Sequence, residues 1–132
     1  MKKNIITAII VSIFLIVFAL IMTNGKNANT ITKEETPINN ISIVNGIQII
    51  EIKAKGGYTP RESIAKSGIP TIIRFNTNGT FDCSSSVRIP SMNIFKNLTQ
   101  SGITDIDLGI QKIGKIQGSC GMGMYPFEIE FK

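Results

Sequence analysis

Apolar and polar positions divide the chain into two unlike parts. Residues 5–22 form an uncharged apolar run in which Thr7 and Ser12 carry the only hydroxyl groups. As a helix this run would be about 27 Å long, close to the ~30 Å of a bilayer's hydrocarbon core. It is longer than the apolar region of about 7 to 15 residues typical of a secretion signal, and residues 19–21 match a cleavage site poorly. The pattern predicts a single transmembrane anchor over residues 1–23.

A polar stretch rich in asparagine and threonine follows the apolar run over residues 24–45, with Pro37 near its middle. Such a composition is typical of a flexible linker. Lysines lie on both sides of the apolar run, so the positive-inside rule leaves the orientation in the membrane open.

From residue 46 onward the pattern changes to short β-rich segments separated by glycine and proline. Several of the segments alternate with period two, and none shows a helical period. The predicted strands are residues 47–53, 71–76, 86–89, 103–108, 113–120 and 127–131. Short strands with frequent turns predict one all-β domain over residues 46–132, an antiparallel sandwich or small barrel.

Composition excludes several classes of function. The chain has no histidine, so it cannot form a Ser-His-Asp triad, a Cys-His pair or the two-histidine copper centre of a blue-copper electron carrier. Its net charge of +5 is spread along the chain, without the basic stripe and interleaved aromatic residues of a nucleic-acid site. We therefore expect neither catalysis nor nucleic-acid binding.

Sulfur-bearing side chains carry the remaining chemistry. Cys83 lies mid-chain, and Cys120, Met122 and Met124 alternate with glycines shortly before the last predicted strand. Thiolate and thioether are soft ligands that favour Cu(I), and glycine lets the loop curl. Two alternatives stay open at this point: the methionines fill gaps in the core, and the two cysteines form a structural disulfide.

Residues 49–132 resemble the cupredoxin-like domains of CupA-like membrane-anchored Cu(I) chaperones and of some copper-exporting P-type ATPases. The resemblance is carried by a Gly-Gly-Tyr-x-Pro motif at residues 56–60, a Gly-x-Pro at 68–70, the lone Cys83, and Cys-Gly-Met-Gly-Met-Tyr at 120–125. It implies a Greek-key β-sandwich in which Cys83 replaces the first histidine of a blue-copper site, while Cys120 keeps that site's cysteine position.

The same resemblance implies a ligand set and a role. The two cysteines would bridge a cluster of two Cu(I) ions, and Met122 and Met124 would complete one of them. Glu51 is either the carboxylate that assists the other or a solvent-facing charge on its strand. Met92 is either a further donor or a packing residue. The implied protein is a monomer that faces the cytoplasm, sequesters Cu(I) or passes it to a copper-exporting P-type ATPase, and supports copper tolerance. The alternative is a metal-free, membrane-tethered sandwich module with a Cys83–Cys120 disulfide.

Overall fold

The computed structural model describes residues 10–18 and 39–132. Residues 10–18 form a helix, α1. Among the described residues no helix is both long enough and apolar enough to cross a membrane. The rest of the predicted anchor, residues 1–9 and 19–23, and most of the predicted linker lie outside the described residues.

Residues 39–132 form a mostly β domain built from two five-stranded sheets. The strands of the first sheet are β1 (Ile41–Val44), β2 (Ile47–Ala54), β3 (Tyr58–Thr59), β5 (Pro70–Thr77) and β8 (Gly102–Ile110). Those of the second are β4 (Glu62–Ala65), β6 (Ser86–Ile89), β7 (Ile94–Asn97), β9 (Gly114–Ser119) and β10 (Pro126–Phe131). Two 3-10 turns, Cys83–Ser85 and Pro90–Met92, flank β6.

The strand order is β1-β2-β5-β8 in the first sheet, with β3 paired to β2, and β4-β10-β9-β6-β7 in the second. Two pairs are parallel, β2 with β5 and β4 with β10, so the expectation of a purely antiparallel domain is wrong. Parallel neighbours need a crossover connection. Between β2 and β5 the chain supplies it by visiting the second sheet as β4, so no helix is required.

The core lies between the sheets and follows the period-two alternation of the strands. Ile50 and Ile52 of β2 are buried, as are Ile73 and Phe75 of β5, whereas the residues between them are more exposed. Tyr58, Phe75 and Phe127 pack edge to face with ring centroids 5.1–5.7 Å apart. This aromatic cluster joins the two sheets and lies beneath the loops described next.

The domain begins earlier than the sequence predicts. Ile41–Val44, inside the predicted linker, pairs antiparallel with β2, so residues 41–44 belong to the first sheet. Asn45 and Gly46 both have positive φ, as the tight hairpin between β1 and β2 requires. Four residues of the predicted linker thus form a strand. β3, β4 and β7 are also additional to the predicted strands, and the six predicted segments all coincide with strands.

Candidate metal site at one end of the sandwich

Cys83 opens the 3-10 turn that follows Asp82, and Asp82 fixes this turn in place. One Asp82 carboxylate oxygen accepts the backbone N–H of Ser84 at 2.8 Å and also its hydroxyl group. The other accepts the backbone N–H of Gly56 at 2.9 Å. The hydrogen bonds from Ser84, and next the one from Gly56, lower the pKa of the Asp82 carboxyl below its ordinary value. Asp82 thus ties the Cys83 turn to the loop after β2.

Cys120 is the first residue after β9, and its backbone closes the loop that leads to β10. Its N–H donates to the carbonyl of Tyr125 at 3.0 Å, and its carbonyl accepts the N–H of Gly123 at 2.8 Å. Gly123 has a φ of +75°, a left-handed conformation that favours glycine. The Cys120 side chain is fully buried, whereas Cys83 is half-buried.

The fold brings the two cysteines together although 37 positions separate them in the sequence. Their Cα atoms are 5.7 Å apart, and the structure joins them as a disulfide. Within residues 10–18 and 39–132 no cysteine is free. The pairing that composition left open is therefore present in this structure, next to the methionine loop.

Met122 and Met124 lie in the loop that Cys120 begins, and both side chains are in water. Met122 is 77% exposed and Met124 58% exposed, so the two thioethers do not fill the core. Loops of this kind, placed at one end of a rigid sandwich, are common positions for binding residues. Two thioethers are thus available at the surface beside the cysteine pair.

The Gly-Gly-Tyr motif at residues 56–58 supports both cysteine loops. Gly56 donates to Asp82, and a Cβ atom at Gly57 would lie 3.7 Å from the Tyr125 ring. The buried hydroxyl of Tyr58 donates to the carbonyl of Ser86 at 2.7 Å. Burial, and secondarily the Asp82 carboxylate, raise the pKa of Tyr58, so its phenol remains a protonated donor.

Ser86 is a site residue that the sequence reasoning missed. Its hydroxyl oxygen accepts the N–H of Gly121 at 3.1 Å and lies 3.4 Å from the carbonyl oxygen of Cys83, to which it donates. Its backbone N–H donates to the same carbonyl. Ser86 is the last of three consecutive serines, and no sequence signal separates it from the other two.

The two remaining candidates lie elsewhere. Glu51 is exposed on β2 between the buried Ile50 and Ile52, and its register partner is Arg74 on β5. Met92 ends the 3-10 turn before β7 and packs against the core. Among the described residues no three histidine, cysteine, aspartate or glutamate side chains group as a metal site. A ligand role for Glu51 stays a prediction, and the position of Met92 favours packing.

Comparison with known proteins identifies the family. The family model of the cupredoxin-like domain matches residues 12–129. The chain belongs to the cupredoxin-like domain family. No curated protein gives a significant sequence match to it.

Two solved structures share the fold of this cupredoxin-like domain. The metal-binding domain of the Streptococcus pneumoniae D39 Cu(I)-exporting P-type ATPase CopA, crystallised with Cu(I), is 28% identical with a TM-score of 0.62, and the match covers 70% of this chain and 92% of that one. The solution structure of a copper-binding protein in its apo form is 24% identical with a TM-score of 0.64, covering 70% and 94%. The second likeness shows the fold alone.

Proposed function

We propose that this cupredoxin-like protein binds Cu(I) through Cys83, Cys120, Met122 and Met124 and does no catalysis. The observation that carries the proposal is the meeting of two distant cysteines, with Cα atoms 5.7 Å apart, beside a loop that exposes two methionines. The CopA metal-binding domain, whose structure contains Cu(I), supports it through a shared fold and 28% identity.

The donor set suits monovalent copper. Two thiolates and two thioethers are soft ligands, which select Cu(I) over hard cations. Stable cycling between Cu(II) and Cu(I) in blue-copper proteins uses imidazole ligands, and this chain has no histidine. Binding and transfer of Cu(I) therefore fits these residues better than electron transfer does.

Copper binding requires the cysteines in reduced form, because the thiolate is the ligand. A thiol reductant would convert the disulfide to two thiols while it is itself oxidised to a disulfide. Cytoplasmic thiol pools maintain that state, so we place the domain on the cytoplasmic side of the membrane. The apolar run at residues 5–22 would anchor it there as a monomer.

The proposed role is to sequester Cu(I) or transfer it to a copper-exporting P-type ATPase, and so to support copper homeostasis. Exposed thioethers next to a half-buried thiol leave room for an incoming thiolate from the partner to replace ligands one at a time. An anchor confines the protein to the same membrane as the exporter and so raises its effective concentration.

A second function is favoured by one observation, the disulfide itself. In this alternative the protein is a metal-free interaction module tethered to a membrane, and Cys83–Cys120 only stabilises the sandwich. Bridges in small exported domains commonly have that role.

A titration in two redox states separates the two functions. Full-length protein in detergent would be titrated with Cu(I) under argon against a chromophoric Cu(I) chelator, once fully reduced and once as the disulfide. The proposal predicts that the reduced form competes with the chelator and the disulfide form does not. A reduced form that takes no copper, with the fold unchanged by circular dichroism, would reject copper binding and favour the structural module.

A further inference from the structure

The two sulfur-bearing loops meet at Ser86, and we infer that Ser86 is the positioning residue that sets the distance between Cys83 and Cys120. For copper, this inference rests on the proposed function. Ser86 binds the carbonyl of Cys83 through both its backbone N–H and its hydroxyl group. The same hydroxyl oxygen accepts the N–H of Gly121, the residue after Cys120. One side chain therefore joins the backbones beside both thiols.

This connection matters most when the disulfide is open. In the reduced protein no covalent bond holds the Cys83 turn to the loop after β9. The noncovalent link through Ser86 remains, and it holds the two backbones at a spacing that lets both thiols reach one metal ion. A site whose ligands are already placed loses less entropy on binding.

A hydrogen bond from the core residue Tyr58 holds Ser86 in position. Its carbonyl accepts the hydroxyl group of Tyr58, which is 2% exposed and packs against Phe75 and Phe127. Asp82 has a different role, because it ties the Cys83 turn to Gly56 rather than to the Cys120 loop. Ser86 is thus held by the core while it bridges the two cysteine loops.

Gly121, in the loop that Cys120 begins, donates the N–H that binds the Ser86 hydroxyl oxygen. A Cβ atom at this position would lie 2.8 Å from the Ser86 hydroxyl oxygen and 3.4 Å from the Phe95 ring. The backbone of Gly121 is outside the left-handed region, so alanine would be strained by this contact and not by its own conformation. Glycine at residue 121 therefore permits the close approach of the loop to Ser86.

The test measures how strongly the fold brings the two thiols together, without any metal. Full-length protein in detergent would be equilibrated with reduced and oxidised glutathione. Closing the disulfide oxidises the two protein thiols and reduces one oxidised glutathione to two reduced molecules. The equilibrium gives the effective concentration of the thiol pair. Ser86→Ala should lower it about three- to tenfold, the factor expected for losing the hydrogen bond from Gly121, which is the one that joins the two loops.

Two variants serve as controls. Ser101→Ala removes a hydroxyl group that accepts the N–H of Gly79 at 2.8 Å and contacts neither cysteine loop, so the thiol equilibrium should not change. Ser86→Thr keeps the hydroxyl group, and the extended backbone at residue 86 suits a β-branched residue, so it should restore the wild-type value. The inference would be overturned if Ser86→Ala shifted the equilibrium no more than Ser101→Ala does.

Gly121→Ala tests the same contact if Ser86→Ala does not fold. As a single variant it should lower the effective concentration of the thiol pair, because its Cβ atom would lie 2.8 Å from the Ser86 hydroxyl oxygen and force the loop away from it. Wild-type behaviour of Gly121→Ala would contradict the inference.

Cu(I) affinity measured on the same proteins distinguishes the proposed copper binding from the positioning role of Ser86. A reduced wild type that takes no Cu(I) would defeat the proposed function, and the glutathione result would then decide the role of Ser86 alone. If the wild type does bind Cu(I), equal affinity in Ser86→Ala would overturn the positioning of the metal ligands. The expected result is a loss of affinity parallel to the loss of effective thiol concentration.

Discussion

Replacing Tyr58 by phenylalanine removes one buried hydroxyl group and leaves the aromatic packing in place. The hydroxyl donates to Ser86 at 2.7 Å, while the ring packs against Phe75 and Phe127 at centroid distances of 5.7 and 5.1 Å. The variant loses the hydrogen bond and leaves the Ser86 carbonyl without this donor in a part-buried position. These two effects together should cost about 1–2 kcal/mol of unfolding free energy.

Urea unfolding of the full-length reduced protein in detergent, followed by circular dichroism, measures that cost. Tyr125→Phe is the matched control, because Tyr125 is half-exposed and its hydroxyl group has no partner among the described contacts; it should stay within about 0.5 kcal/mol of the wild type. A loss below about 0.3 kcal/mol in Tyr58→Phe would refute the reasoning. It would mean that water can hydrogen-bond to the Ser86 carbonyl in place of the Tyr58 hydroxyl group at almost no cost.

Three further predictions concern the core, the Cys83 turn and the methionine loop. Gly118→Ala should lose about 1–3 kcal/mol in the same urea assay, because its Cβ would overlap the Phe127 ring, and a stable variant would contradict this packing. Asp82→Ala should lose about 1 kcal/mol at neutral pH from the lost cap. Because the folded pKa of Asp82 is lowered, the stability that it contributes is present above its unfolded pKa and lost as the pH falls through the folded value. Urea unfolding at several pH values should therefore show the two proteins converging in acid, and a constant difference would argue against the charged cap. Met122→Leu with Met124→Leu should weaken Cu(I) binding in chelator competition, whereas Met92→Leu should not; equal affinities would remove the methionines from the site.

Alternating segments made much of the sandwich predictable from the sequence. In residues 47–53 and 71–76, for example, Ile50 and Ile52 of β2 and Ile73 and Phe75 of β5 recur at every second position, and the structure buries all four. The turn residues between segments also marked the boundaries. Local pattern was sufficient in these longer strands, whereas the four-residue β4, which alternates in the same way, was not predicted.

Short or exposed strands escaped this reasoning. β1 lies in an asparagine-rich stretch and has mostly exposed side chains, so alternation gave no signal, although Asn45-Gly46 is a hairpin sequence that could have revealed it. β3 has two residues, and β7 is exposed along most of its length. The parallel pairs depend on which sheet each strand joins, and that choice is made by contacts far apart in the sequence.

The candidate site was predictable in its chemistry and not in its geometry. Soft donors at Cys83, Cys120, Met122 and Met124 were visible as residue types, but spacing alone could not tell a disulfide from a ligand pair. The links from Asp82 to Gly56 and from Ser86 to Gly121 are hydrogen bonds between residues 26 and 35 positions apart. Such bonds form only once the sheets have assembled, so the local sequence carries no mark of them.

X-ray absorption at the copper edge tests ligation by sulfur most directly. Reduced full-length protein loaded with Cu(I) under argon should show a first coordination shell made of sulfur, with the cuprous edge position, and Cys120→Ser should lose the bound copper. A first shell made of nitrogen or oxygen, or unchanged copper loading in Cys120→Ser, would contradict the account.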